Sequence, residues 1–246
     1  MNKIKNIFIS YWFKELDYNP ASKVGELENE ISSVINAPLM YNKEMPNNNI
    51  AIPRVQGISK DNKYLFTMSL INAILSINIT EDIDIDEAIL LINNDVQLFY
   101  DIIKKVYDVK IVYTSIKVEL INEEKKIKSK LFDKLNLIDN NHENITLREG
   151  LIKDSYYINY VLEYSSEYNF DISHTEKLSE EDLFNKTMVT SLSDAHLNRK
   201  YLLITAEIND RYSYNLDNKH ETGKEDIRGM ILELKDILKN ELYWKK

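Results

Sequence analysis

Ile50 to Ile79 reads IAIPRVQGISKDNKYLFTMSLINAILSINI, two runs rich in β-branched and aromatic residues on either side of the polar group Lys60-Asp61-Asn62-Lys63. Two such runs around a polar turn predict an antiparallel hairpin whose second arm, Tyr64 to Ile79, is unusually long. An antiparallel pair here argues against a parallel doubly wound sheet, as does the lack of a Gly-rich first turn.

Upstream, Ile7, Ile9, Tyr11 and Phe13 alternate with polar or smaller neighbours, the period of a strand with one buried face. Asn19-Pro20 marks a helix start, and Val24, Leu27, Ile31, Val34 and Ile35 then recur at helical spacing up to Pro38. Tyr41 to Asn49 reads as an irregular connection. Downstream, a helix is expected from about Asp86 to Tyr107, a strand from Lys110 to Ile121 with Val112, Thr114, Ile116, Val118 and Leu120 on one face, and a helix from Glu123 to Leu137 before a polar loop. The second half repeats the alternation: a strand from Tyr156 to Ile172, a helix opening near Ser179, a strand from Tyr201 to Tyr212, and a closing helix. For that last helix Thr222-Gly223-Lys224-Glu225 reads as a capping box, and Ile227, Met230, Ile231, Leu234, Ile237, Leu238 and Leu242 form one apolar stripe. The order predicts an α+β fold, an antiparallel or mixed sheet with amphipathic helices packed on it, ending in a long C-terminal helix. One domain over 1–246 is expected, built from two loosely similar halves, 1–138 and 145–246.

The composition narrows the chemistry. The 246 residues hold no Cys, four His and five Gly, so phosphate loops, thiolate metal sites and Cys nucleophiles have no material to be made from. A net charge of −9 disfavours nucleic acid and anionic lipid and favours basic partners. Lack of Cys fits a cytoplasmic protein, the N-terminal apolar stretch reads as a strand and not a signal peptide, and no segment is apolar enough to span a bilayer.

The order of a short opening strand, an Asn/Pro-rich link, the strand Ile52-Pro53-Arg54-Val55, a following strand, a long helix, a strand and a last amphipathic helix resembles an uncharacterised, sporadically distributed family of bacterial proteins of similar length. The resemblance implies an α+β fold and a bacterial or phage accessory protein; the family has no assigned activity or catalytic residues, so none is carried over.

Asp82, Asp84 and Asp86 fall at the first, third and fifth positions of a calcium-loop pattern, but Glu87 stands where Gly must make the turn and Asn93 where a bidentate Glu is required. The competing reading is negative charge gathered at a helix start. No two His are spaced as metal ligands; His142 and His220 lie in polar loop sequence, and His196 near Ser193 and Asp194 lacks a nucleophile elbow. Asp108 with Glu123-Glu124-Lys125 resembles a nuclease pattern, although Glu123 to Lys130 reads equally as a solvated helix face. Five of the sixteen Tyr lie between Tyr156 and Tyr168. Tyr156, Tyr160, Tyr164 and Tyr168 are the candidate protein-binding residues, with packing in the core as the alternative. The expected function is non-enzymatic: an accessory protein that binds a protein partner or itself, without cofactor, as an inhibitor, immunity, defence-accessory or structural subunit. The alternative is a metal-dependent hydrolase or nuclease using scattered carboxylates such as Asp82, Asp84, Asp86, Asp108, Glu119 or Glu123.

Overall fold

The computed structural model describes residues 3–42, 49–122, 146–170 and 195–242, with side chains for all of these except 122, 147, 164–170, 195–200, 241 and 242. The expected helices at Glu123 to Leu137 and near Ser179 lie outside them. Nine strands form a single sheet: β1 (Lys3–Phe13), β2 (Met40–Tyr41), β3 (Val55–Ile58), β4 (Tyr64–Met68), β5 (Asn72–Asn78), β6 (Ile111–Asn122), β7 (Thr146–Lys153), β8 (Tyr156–Phe170) and β9 (Ala195–Asn209). The spatial order is β2-β3-β4-β5-β1-β6-β9-β8-β7, and every neighbouring pair is antiparallel. The helices are α1 (Val24–Ile31), α2 (Ile85–Tyr107), α3 (Arg211–Leu216) and α4 (Lys224–Asp236). The fold is α+β with an antiparallel sheet, and the first and second halves of the sequence join where β6 pairs with β9. Among the described residues no helix is long and apolar enough to cross a membrane.

Side-chain alternation puts Ile7, Ile9, Tyr11 and Phe13 of β1, Ile116 and Val118 of β6, Ile158 and Tyr160 of β8, and Ile204, Ala206 and Ile208 of β9 on one buried face. α2 and α4 cover that face. The Tyr11 hydroxyl donates to the Val96 carbonyl at 2.6 Å, and the rings of Phe66 and Phe99 lie 5.9 Å apart, so α2 is tied to both β1 and β4. The C-terminal carbonyls of α2 are satisfied from the α1 segment: Lys23 Nζ donates to Val106 O and the Tyr18 hydroxyl to Tyr107 O. Asp108 closes the helix in the left-handed conformation.

Several expectations differ from the structure: the strand expected from Tyr201 to Tyr212 ends at Asn209, and Tyr212 lies in α3, a helix the sequence reading did not include. The long hairpin arm is two strands, because Ser69 and Asn72 fold a tight turn on their own side chains: Ser69 Oγ accepts from Asn72 N and Ile71 N and donates to Asn72 Oδ1. The first helix stops at Ile31, where Ser32 Oγ turns back to Asn29 O and the amides of Val34 and Ile35 share the Ile31 carbonyl. β7, unmarked in the sequence by its polar alternation around Gly150, pairs with β8 through a turn that holds Asp154 at φ 54°. The closing helix is capped at Gly223, whose amide donates to Asp226 at 2.7 Å, while the Thr222 hydroxyl goes elsewhere; the regular helix ends at Asp236 and continues as a π-helical turn, Ile237–Leu242.

Asp95 is an exception in the core. It is 7% exposed, and its Oδ2 has no hydrogen-bond partner among the described residues. Burial pushes its carboxyl up to about 6, with the neighbouring Tyr64 hydroxyl and Lys63 opposing the shift. The folded state therefore keeps this proton to higher pH than the unfolded chain, so the contribution to stability is greatest below the ordinary value of 3.8 and is lost as pH rises through about 6. Asp95→Asn is expected to raise stability by about 1–3 kcal/mol near pH 8 and to have little effect near pH 3.5, approximate values for a shift of this size. Urea unfolding across that range measures it; a constant difference between wild type and variant would contradict the assignment.

Candidate ligand-binding groove

The helices cover one face of the sheet, and the other face carries the alternate residues of the same strands. Register sets them in cross-strand rows. Trp12 faces Tyr113 in one row; Ile74, Ser10, Ser115, Asn209 and Tyr157 follow in the next; Ser76, Phe8, Lys117, Glu207 and Asn159 make the third. The middle row has two serines opposite each other at its centre, flanked by bulky side chains on both sides. The result is a groove of 610 Å³ across the strands, with Ser115 and Asn209 only 9% and 6% exposed at its floor although no helix among the described residues lies over them.

One wall is an aromatic ladder. Trp12 and Tyr113 stack with centroids 5.4 Å apart and planes inclined by 16°, and Tyr214 of α3 approaches Tyr113 at 6.1 Å. The Arg211 guanidinium lies 5.6 Å from the Tyr113 ring, and among the described residues it has no carboxylate partner. Burial pushes the Tyr113 hydroxyl up from its usual range. On the opposite wall Lys117 Nζ lies 3.9 Å from the centre of the Phe8 ring and 2.9 Å from Glu119 Oε1.

Glu207 is held as an acceptor. Its Oε1 receives Ser115 Oγ at 2.7 Å and Asn209 Nδ2 at 3.2 Å, and its Oε2 receives Asn159 Nδ2 at 3.3 Å. All three donors are uncharged. α3 closes the β8 end, where Tyr212 meets Tyr157 edge-on at 5.4 Å and Asn215 Nδ2 reaches the Tyr157 hydroxyl.

Between Asn209 and Arg211 sits Asp210, 1% exposed, which anchors this corner. Its Oδ1 accepts from the Thr114 amide at 2.6 Å; its Oδ2 accepts from Thr222 Oγ1 at 2.7 Å and lies 3.0 Å from His220 Nε2. Burial raises the Asp210 carboxyl while these donors oppose the rise. Asp210, His220 and Asp226 bring ligand atoms within 4.8 Å of one another. Each carboxylate already accepts from protein donors, Asp226 from the Gly223 amide, so the group reads as a clasp joining β9, β6 and the start of α4. His220 is thus a clasp residue, not the solvated loop residue expected from its polar neighbours.

The sequence candidates are placed as follows. Asp84 caps α2, accepting from Glu87 N while the Glu87 carboxylate accepts from Asp84 N. Asp82 pairs with Lys3 at 3.0 Å, and Asp86 pairs with Lys235 at 2.8 Å and Lys239 at 2.6 Å, which hold its carboxyl down at about 2. The three carboxylates are drawn to different partners and do not converge. Glu119 accepts from Lys117 and from Asn6 Nδ2, and Asp108 is the α2 cap. Tyr160 is buried beneath the helices and Tyr156 leans on α4, its hydroxyl 3.4 Å from Asp226 O; the side chains of Tyr164 and Tyr168 lie outside the described ones. His142, His174, Glu123 to Lys130, and Ser193 with Asp194 lie outside the described residues, as does the His196 side chain. Sequence reading missed Trp12, Tyr113, Tyr157, Glu207 and Arg211. Phe8 and Trp12, interleaved with Ile7, Ile9 and Tyr11, were the available signal, since they put large rings on both faces of β1.

No family model and no curated protein matches the chain.

Loss of the clasp should loosen the groove corner. Asp210→Ala leaves the Thr114 amide buried without an acceptor and is expected to cost about 2–4 kcal/mol, whereas Asp210→Asn retains one acceptor and should cost less. Chemical denaturation ranks the two; a cost below about 0.5 kcal/mol for both would remove the clasp from the account.

Proposed function

We propose that the protein is a non-catalytic, cytoplasmic binding protein of bacterial or phage origin that seats another protein in the groove on the sheet face opposite α2 and α4. An inhibitor, immunity, defence-accessory or structural role is compatible with that mode. The observation that carries the reading is the groove itself: aromatic rings around a polar floor, with no helix of the described residues lying over it, the mixture found at recognition surfaces. Glu207 accepts hydrogen bonds from three uncharged side chains, Ser115 and Asn209 on Oε1 and Asn159 on Oε2, and so presents a fixed acceptor to the groove. The net charge of −9 favours a basic partner. Self-association through the same face is the second mode, and light scattering after size exclusion distinguishes it from a heterologous complex.

Ser115→Phe fills the groove floor without touching the helix-covered core. With wild-type circular dichroism and an unchanged elution volume for the free protein, this variant is expected to lose at least about 90% of the partner retained by immobilised wild type, a loss of tenfold or more in affinity. Equal retention by the two proteins would rule out the groove as the contact.

A further inference from the structure

The groove is a channel with a definite length and polarity. Five adjacent strands, β5 to β8 through the centre, at about 4.8 Å each span about 19 Å, the length of roughly six extended residues. At the β5 end its floor is Ile74, and the face continues outward to the exposed Leu65 and Ile58, paired across β4 and β3. At the β9 end two charges stand on opposite walls, Arg211 and Glu207, with Asn209 between them on the floor. Neither has a charged partner within ion-pair distance among the described residues: Lys117, opposite Glu207 in register, is turned to Glu119. An uncovered cation and an uncovered anion across one channel are complementary to a group carrying both signs.

Resting on the protein-binding reading above, we infer that the groove receives the C-terminal end of a partner protein whose last residue is basic. The chain end lies along the serine floor, its terminal carboxylate meets Arg211, and its Arg or Lys side chain meets Glu207. A guanidinium suits the Glu207 side better than an ammonium, because it is planar, weakly hydrated and can donate to Oε2, which accepts from Asn159 alone among the described residues. The apolar β5 end takes an aliphatic side chain several residues upstream. Capture of a terminal carboxylate is an established mode of peptide recognition.

The test uses the full chain and fluorescein-labelled Leu-Ala-Ser-Ala-Ser-Arg as probe, in four forms: Arg or citrulline at the end, free acid or amide. Polarisation titration of wild type is expected to favour Arg over citrulline and acid over amide by about tenfold each, the usual scale for one charge-assisted contact. Glu207→Gln should abolish the first preference and keep the second; Arg211→Gln should do the reverse. Each variant thereby reports its own folding through the preference it retains. Equal binding of all four peptides by wild type, or no saturable binding up to about 1 mM, overturns the inference. A partner lost by Ser115→Phe but indifferent to its own terminal residue would keep the groove as an interface and remove this occupant.

Discussion

Among the described residues α2 and α4 pack on one face of the nine-stranded sheet and only the short α3 reaches the other, and most of the described structure follows from that constraint. Ile7, Ile9, Tyr11 and Phe13 bury one face of β1 under α2, with the Tyr11 hydroxyl bonded to the Val96 carbonyl. On the opposite face the described contacts run mainly between strands, with α3 meeting Tyr113 and Tyr157 at one end. Trp12 on Tyr113, Lys117 on Phe8 and the hydrogen bonds that converge on Glu207 supply them. Cross-strand pairs of this kind contribute roughly 0.2–1 kcal/mol each, enough to order the surface and too little to require that it be covered.

The groove is a consequence of side-chain size in that setting. Ser10 and Ser115 lie opposite each other between a Trp–Tyr row and a Phe–Lys row, so a depression forms without any bend or cavity in the backbone. α3, six residues long, folds over one end and brings Arg211 and Asn215 to the rim. Asp210 fixes that corner through Thr114 of β6 and through His220 and Thr222 of the segment before α4. Groove geometry and fold stability are therefore linked at one buried carboxylate.

The acidic run before α2 illustrates how little a local charge pattern says about ligands. Asp82, Asp84 and Asp86 are spaced as a cation loop would space them, yet Lys3 draws the first, the helix amide of Glu87 the second, and Lys235 with Lys239 the third. Those lysines come from the opposite ends of the sequence. The reading of this run as charge gathered at a helix start accounts for Asp84; the other two are long-range ion pairs that no inspection of residues 81–87 could reveal.

The sequence by itself determined the elements whose signals are local: the alternation of β1 and β6, the span of α2, the apolar stripe of α4 and the α+β class. Period-two and period-3.6 burial are written directly into neighbouring residues, which is why these were legible. Where the signal lay in side-chain hydrogen bonds, as at Ser69–Asn72, Ser32 and Gly223, element ends moved by several residues. The site was decided only by tertiary structure, because strand order and register place Trp12 beside Tyr113, and Glu207 beside Asn159, from segments about a hundred and about fifty residues apart. A strand's own sequence shows that it has two faces; which of them a helix will cover depends on where the chain crosses next.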